Sequence, residues 1–189
     1  KYVQDNYFKG LESISKSKAK QSGKVNLYAT FLIKAIKLLK DGGLFGFIIP
    51  NNILRTTTYD IIRKFILDNC EIIKIVDLGA GVFEGVTAST IILILEKQTE
   101  KTKRDKNKVV IYSGINNHTE KKEIEQKDFL ENTSYTFNIT LGKEERKIFD
   151  KIERGSISLG EEAKYIIEGI VGNRKKDVVD SPINDKCKK

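Results

Sequence analysis

The feature that most constrains this chain is a short step between two apolar runs. One run ends at Asp77 and the next opens at Ala88, with only Leu78-Gly79-Ala80-Gly81-Val82-Phe83-Glu84-Gly85-Val86-Thr87 between them. Parallel strands need a crossover of a dozen or more residues, usually a helix, and this loop has no room for one. A strand over 88–96 must therefore run antiparallel to its predecessor or leave the sheet.

The residues before that step alternate in period. Asn26 is an N-cap candidate for a helix reaching Lys40, with Tyr28, Phe31, Leu32, Ala35, Ile36 and Leu39 at the spacing of one face. Asp41-Gly42-Gly43 is the expected stop. Leu44 to Ile49 is apolar or glycine at both parities, which predicts an inner strand covered on both faces. Pro50-Asn51-Asn52 turns the chain at its carboxyl end. A helix over Tyr59–Asn69, with Ile61, Ile62, Phe65 and Ile66 inward, leads to a strand over Ile72–Asp77. Strand, helix, strand predicts a right-handed crossover with 44–49 and 72–77 running parallel.

Beyond Lys97 the chain is more charged. Gln98–Lys108 reads as a linker, Val109–Tyr112 as a short strand, Glu120–Glu131 as a charged helix, and Leu141–Arg154 as a helix with Ile148, Phe149 and Ile152 on one side. Ahead of the ordered stretch, Lys1–Lys24 is a polar lead-in, and Ser13–Gly23 reads as a loop. The last residues, from Ser181, read as a tail.

Composition excludes several classes. No apolar run is long enough to span a bilayer, and no signal-peptide pattern opens the chain. Cys70 and Cys187 stand far apart without Cys or His neighbours, which excludes a disulfide framework and a zinc site and fits the cytoplasm. His118 is the single histidine and reads as a solvated loop residue. The chain opens on Lys1 and contains no methionine, so a piece of a longer protein is expected. The net charge of +8 fits a polyanionic partner and equally an ordinary lysine-rich surface.

Asp77-Leu78-Gly79-Ala80-Gly81 has the look of a glycine-rich nucleotide loop. Such a loop binds through the helix it opens, and here Phe83 stands where a third glycine is needed, with no helix before Ala88. The whole ordered set reads better. Leu27-Tyr28-Ala29-Thr30-Phe31, Asp41-Gly42-Gly43, Phe47-Ile48-Ile49-Pro50-Asn51, Asp77-Leu78-Gly79, Val82-Phe83 and Ile91–Lys97 follow one another in a fixed order. This set resembles the amino-methylating adenine DNA methyltransferases, including fused restriction–modification enzymes, over residues 24–97 and more weakly to 176.

The resemblance implies an α/β fold. It would be the C-terminal half of a Rossmann-like methyltransferase sheet with an antiparallel final strand, followed by a smaller mixed α/β segment. The implied domains are 1–97 for half of the catalytic domain, 98–140 for a linker and extension, and 141–189 for the start of a target-recognition domain. Glu168-Gly169-Ile170-Val171-Gly172-Asn173 looks like the opening of that last domain. By the same resemblance Phe31 contacts the adenine of S-adenosyl-L-methionine, Phe83 stacks on a flipped target adenine, and Pro50 and Asn51 edge the target pocket. Arg174, Lys175 and Lys176 would meet double-stranded DNA, whereas Lys101, Lys103, Arg104, Lys106 and Lys108 read as a solvated linker. An endonuclease, fused or separate, is an implied partner.

The family's catalytic tetrad, Asn-or-Asp-Pro-Pro-Tyr-or-Phe, is not in this chain, whose two prolines are Pro50 and Pro182. It is expected upstream of Lys1, together with the true cofactor loop. Core packing remains an alternative role for Phe31 and, less readily, for Phe83. A DNA-binding module without chemistry and a small-molecule methyltransferase remain alternative functions.

Overall fold

The computed structural model describes residues 26–85, 87–113, 120–140, 143–157 and 159–163. The readings made for Lys1–Lys24, His118, Arg174, Lys175, Lys176 and the tail lie outside the described residues. The chain divides into two compact units, residues 1–144 and 145–189.

Helix α1 spans Leu27–Leu38, and the Asn26 side chain accepts from the Leu27 N–H at its start. Its buried residues are Ala29, Thr30, Leu32, Ile33 and Ile36. The expected face holds for Leu32 and Ile36, which are buried, and for Tyr28, Ala35 and Leu39, which are half-buried, but not for Phe31, which lies with Leu27 and Leu38 on the exposed side. The helix is apolar nearly all round, so periodicity alone does not choose its inner face. The glycine stop is also corrected. Leu39 is already extended, and Gly42, at φ +76°, serves the turn that follows, where the Gly43 N–H donates to the Lys40 carbonyl at 2.9 Å. A Cβ on Gly43 would meet that same carbonyl at 2.8 Å, so a side chain there would force the backbone to shift.

Strand β1 (Leu44–Pro50) leads through two short 3-10 turns into α2 (Asp60–Asn69), which passes directly into β2 (Cys70–Gly79). After the loop, β3 (Thr90–Lys97) inserts between β1 and β2 and runs antiparallel to both. β1 and β2 thus point the same way without being paired, as the short loop requires. Two further strands complete a mixed five-stranded sheet in the order β1-β3-β2-β4-β5. β4 (Lys108–Ser113) is parallel to β2, and β5 (Glu120–Glu125) is antiparallel to β4.

Register sorts the faces. Phe45, Phe47 and Ile49 stand opposite Leu95, Leu93 and Ile91, and Ile72 and Ile75 continue the row on β2. This face, with Val109 and Ile111, shares one core with α1 and α2. Full burial of an Ile or Leu side chain contributes about 1.5–3 kcal/mol. All four residues expected inward on α2 are buried. The other face of β1 is not covered among the described residues: Leu44 is 67% and Ile48 41% exposed. There β1 pairs with β3 alone, so it is an edge of the described sheet rather than the inner strand expected.

The region read as a linker is structured. Helix α3 (Lys101–Lys106) buries Arg104, whose guanidinium donates to the carbonyls of Leu67, Gln98 and Thr99 at 2.7–3.1 Å. The charged helix expected over 120–131 is instead β5 followed by one turn, α4 (Asp128–Glu131). Gln126, between them, is buried and completes the start of β2: its amide accepts from the Ile72 N–H at 2.8 Å and donates to the Cys70 carbonyl at 2.9 Å. Helix α5 (Lys143–Arg154), most of which belongs to the second unit, precedes α6 (Leu159–Glu162), and Ile148, Phe149 and Ile152 are exposed on α5.

Candidate functional site

The site is built where β1 and β2 end and β3 begins. Pro50 and Gly79 both stand opposite Thr90. The Asn51 N–H donates to the Ser89 carbonyl at 2.9 Å, so the alternation of an antiparallel ladder leaves Pro50 and Thr90 as a pair that exchanges no hydrogen bonds. That is a place where a proline costs the sheet nothing. Pro50 and Asn51 are thereby tied to the last residues of the loop that carries Phe83.

That loop has little to hold it. Residues 80–85 are exposed, with Val82 at 40% and Phe83 at 46%. Gly79, Gly81 and Gly85 all have positive φ, and the Asp77 carboxylate accepts from the Gly79 N–H at 3.0 Å as the chain leaves β2. No helix opens at Gly81. The nucleotide-loop reading thus lacks its structural context, and Phe83 is not a core residue. Phe31, 59% exposed, is not one either.

The first turn of α1 reaches the same edge. The Tyr28 hydroxyl donates to Asn52 Oδ1 at 2.8 Å, and the Tyr28 and Tyr59 rings lie 5.5 Å apart. Burial pushes the Tyr28 phenol up, with Tyr59 acting in the same direction. Phe31 follows Tyr28 by about one turn, on the outer side of the helix.

Sequence reasoning missed the group that holds this corner together. Arg63 sits among isoleucines on α2 and is fully buried. Its Nη1 donates to the Ile53 and Thr56 carbonyls at 2.7 and 2.9 Å. Its Nε and Nη2 donate to the Ser134 carbonyl at 3.2 and 2.7 Å. Burial pushes the guanidinium down to about 10, while Asp60 acts the other way. Ser134 and Tyr135 both carry positive φ near 52°, an unfavoured backbone that this clamp helps to hold. A single arginine in a helix gives no sign that it faces inward, so no sequence signal marked it. Thr90, buried at 5% exposure, carries a hydroxyl with no hydrogen-bond partner among the described residues.

Fold and edge together define a mixed α/β unit with a five-stranded sheet. Residues 2–83 match the family described as Eco57I restriction-modification methylase. The type II methyltransferase M.BanIII of Aneurinibacillus aneurinilyticus is 43% identical over 70 residues, 36% of this chain and 12% of that protein. The type II restriction enzyme and methyltransferase RM.Eco57I of Escherichia coli is 32% identical over 72 residues, 38% of this chain and 7% of that protein. The chain therefore spans a small part of these relatives. Among solved structures, the type IIG restriction endonuclease BpuSI has a similar fold, with a TM-score of 0.52, 15% identity, and coverage of 92% of this chain and 23% of that one. No helix among the described residues is long and apolar enough to cross a membrane.

Proposed function

We propose that this chain is part of a site-specific DNA methyltransferase of a restriction–modification system. The full-length protein would transfer a methyl group from S-adenosyl-L-methionine to the exocyclic amino group of adenine in double-stranded DNA. The observation that carries the reading is Phe83: a half-exposed ring on a glycine loop, at the edge where β1 and β2 end. A base flipped out of the duplex leaves its stacking neighbours and needs a new flat surface. Phe83 offers one, and Pro50 and Asn51, across the start of β3, border the same space. The antiparallel strand between two strands of common direction agrees with the closing end of a Rossmann-like methyltransferase sheet.

The cofactor would supply the electrophilic methyl group. Phe31 fits a role beside it, because its ring is exposed on α1 and free to stack on an adenine. The acceptor-binding tetrad would come from the segment upstream of Lys1, so residues 1–189 alone transfer no methyl group. Arg174, Lys175 and Lys176 are assigned to DNA phosphates near the recognition domain.

The test is transfer of labelled methyl groups from S-adenosyl-L-methionine to genomic DNA by the full-length protein, followed by nucleoside analysis. Label in N6-methyladenine is expected. DNA binding without transfer would favour a binding module, and transfer only to small molecules would favour the third class. Micromolar cofactor binding by residues 1–189 alone, measured by isothermal titration, would contradict the division of the site between this chain and the upstream segment.

A further inference from the structure

The corner after β1 presents a polar group that the stacking and cofactor roles leave unused. Asn52 is exposed, yet its amide is not free to turn. The Tyr28 hydroxyl holds Oδ1 at 2.8 Å, and Tyr28 is itself half-buried with its ring against Tyr59. The backbone of Asn52 is fixed as well, its carbonyl accepting from the Arg55 and Thr56 N–H groups at 3.2 and 2.9 Å. With Oδ1 engaged, the group left to face a ligand is the Nδ2 amine, which can only donate. A side chain ordered before binding loses little entropy when it binds.

A second polar group lies at the same sheet edge. The Thr90 hydroxyl, opposite Pro50, is buried and without a partner among the described residues. Proteins seldom leave buried polar groups unpaired. By register Thr90 lies on the sheet face of Pro50 and Ile48, away from the face that packs on α1, so it is a separate feature of this edge and the role of Asn52 rests on its own geometry.

We infer that Asn52, held in place by Tyr28, is a DNA-positioning residue that donates through Nδ2 to a phosphate oxygen. The inference rests on the DNA methyltransferase reading for the nature of the ligand. Bidentate reading of adenine by asparagine needs both Oδ1 and Nδ2, and Tyr28 already occupies Oδ1. A single neutral donor suits a phosphate oxygen, where most protein–DNA hydrogen bonds go.

The test compares Asn52→Asp, Asn52→Leu and Tyr28→Phe in the full-length protein, by fluorescence anisotropy on a mixed-sequence duplex and by thermal melting. Asn52→Asp still accepts from Tyr28 but presents no donor, and Asn52→Leu removes the donor without adding charge. Both are expected to weaken binding about tenfold; Asn52→Asp should melt as the native protein does, and Asn52→Leu slightly lower, because it also loses the Tyr28 hydrogen bond. Tyr28→Phe frees the amide and should weaken binding a few-fold. If Asn52→Leu binds as the native protein does, the proposal fails, and a loss seen in Asn52→Asp alone is mere charge repulsion. A variant that changes which sequences are bound, rather than weakening all alike, would move the contact to a base edge and overturn the phosphate assignment. Native protein that binds DNA but transfers no methyl group would sink the methyltransferase reading while these comparisons still decide the role of Asn52. Native protein that does not bind DNA overturns both.

Discussion

Two connections meet at one edge of the sheet and are built in opposite ways. Residues 50–59 are anchored from every side: Ile53, Leu54 and Tyr59 are buried, Arg63 grips the carbonyls of Ile53 and Thr56, and the Phe137 N–H donates to the Leu54 carbonyl at 2.9 Å. Residues 80–85 are exposed throughout and turn on glycines at positive φ. The difference separates holding from adapting. The anchored corner sets fixed donors and a proline edge, and the open loop carries an exposed aromatic ring that, on the function proposed above, would adjust to a flipped base. Loops on a rigid scaffold commonly carry function in this way.

The largest effect should come from breaking the anchor. Arg63→Met keeps the stem and removes the guanidinium, taking the buried donor from the Ile53 and Ser134 carbonyls, while the Thr56 carbonyl keeps the Tyr59 N–H. Stranding buried polar groups of this kind costs about 3–5 kcal/mol in total. That is a large part of the 5–15 kcal/mol typical of a domain. Urea denaturation of residues 1–189 should show the midpoint falling steeply. A loss below about 1 kcal/mol would mean that the corner is held by apolar packing alone.

Phe83→Ala should do the reverse, sparing stability and harming function. Stacking of a base on an aromatic ring is worth about 1–3 kcal/mol, comparable to the few kcal/mol that flipping requires. Methylation of duplex DNA by the full-length protein should fall about 5- to 150-fold. Cofactor affinity and melting temperature should barely move, and Phe83→Trp should keep much of the activity. If the variant unfolds before any kinetic defect can be measured, the loop is part of the packed frame and the contrast collapses.

The same contrast explains what was legible in the sequence. The loop was, because its length alone forces β3 to run against β2, and Gly79, Gly81 and Gly85 announce a backbone without regular structure. The helix α2 was as well, since Ile61, Ile62, Phe65 and Ile66 repeat at helical spacing. The anchor was not. Arg63 and Arg104 are long cations whose burial depends on carbonyls that tertiary contact brings to them, Ser134 being far away in the chain. Gln126 is hidden for the same reason. β5 carries Ile124 as its single apolar residue and has no strand alternation to read. It forms because β4 offers an edge to pair with, a tertiary effect that overrides local pattern. On α1 the difficulty was excess: apolar residues on both sides left Phe31 and Leu32 indistinguishable.

Tyr28 offers a subtler probe of the anchored corner. Its phenol is raised above the ordinary value of about 10. The folded state therefore keeps a proton that the unfolded chain gives up. This stabilisation is fully present below about pH 10 and is lost as the pH climbs past it. Cys70, buried at the start of β2 and pushed up to about 12 from 9.0 by desolvation, behaves with the same sign in an overlapping window. The comparison is best made with Cys70→Val in both partners. Adding Tyr28→Phe should then cost about 0.5–1.5 kcal/mol at neutral pH, from the lost hydrogen bond to Asn52, and flatten the remaining alkaline decline. An unchanged alkaline slope would show that the phenol titrates alike in both states.

The smallest effect, and the finest test of how loosely the loop is held, is Gly81→Ala. Gly81 has φ +81° and a Cβ added there meets nothing within 4 Å, in contrast to Gly43. Sterics with the surroundings therefore contribute nothing, and only the backbone matters. A left-handed alanine costs about 1–2 kcal/mol. Replacing glycine also narrows the unfolded ensemble, which returns about 0.4–1 kcal/mol. The net loss should be about 0–1.6 kcal/mol, and Gly81→Asn should lose less still, because asparagine tolerates this region. Gly43→Ala should lose more than either, since the Lys40 carbonyl would have to move. If Gly81→Ala instead costs as much as Gly43→Ala in a thermal melt, the loop is clamped in one conformation. Phe83 would then be presented as rigidly as Asn52, and the adaptable half of the contrast would be wrong.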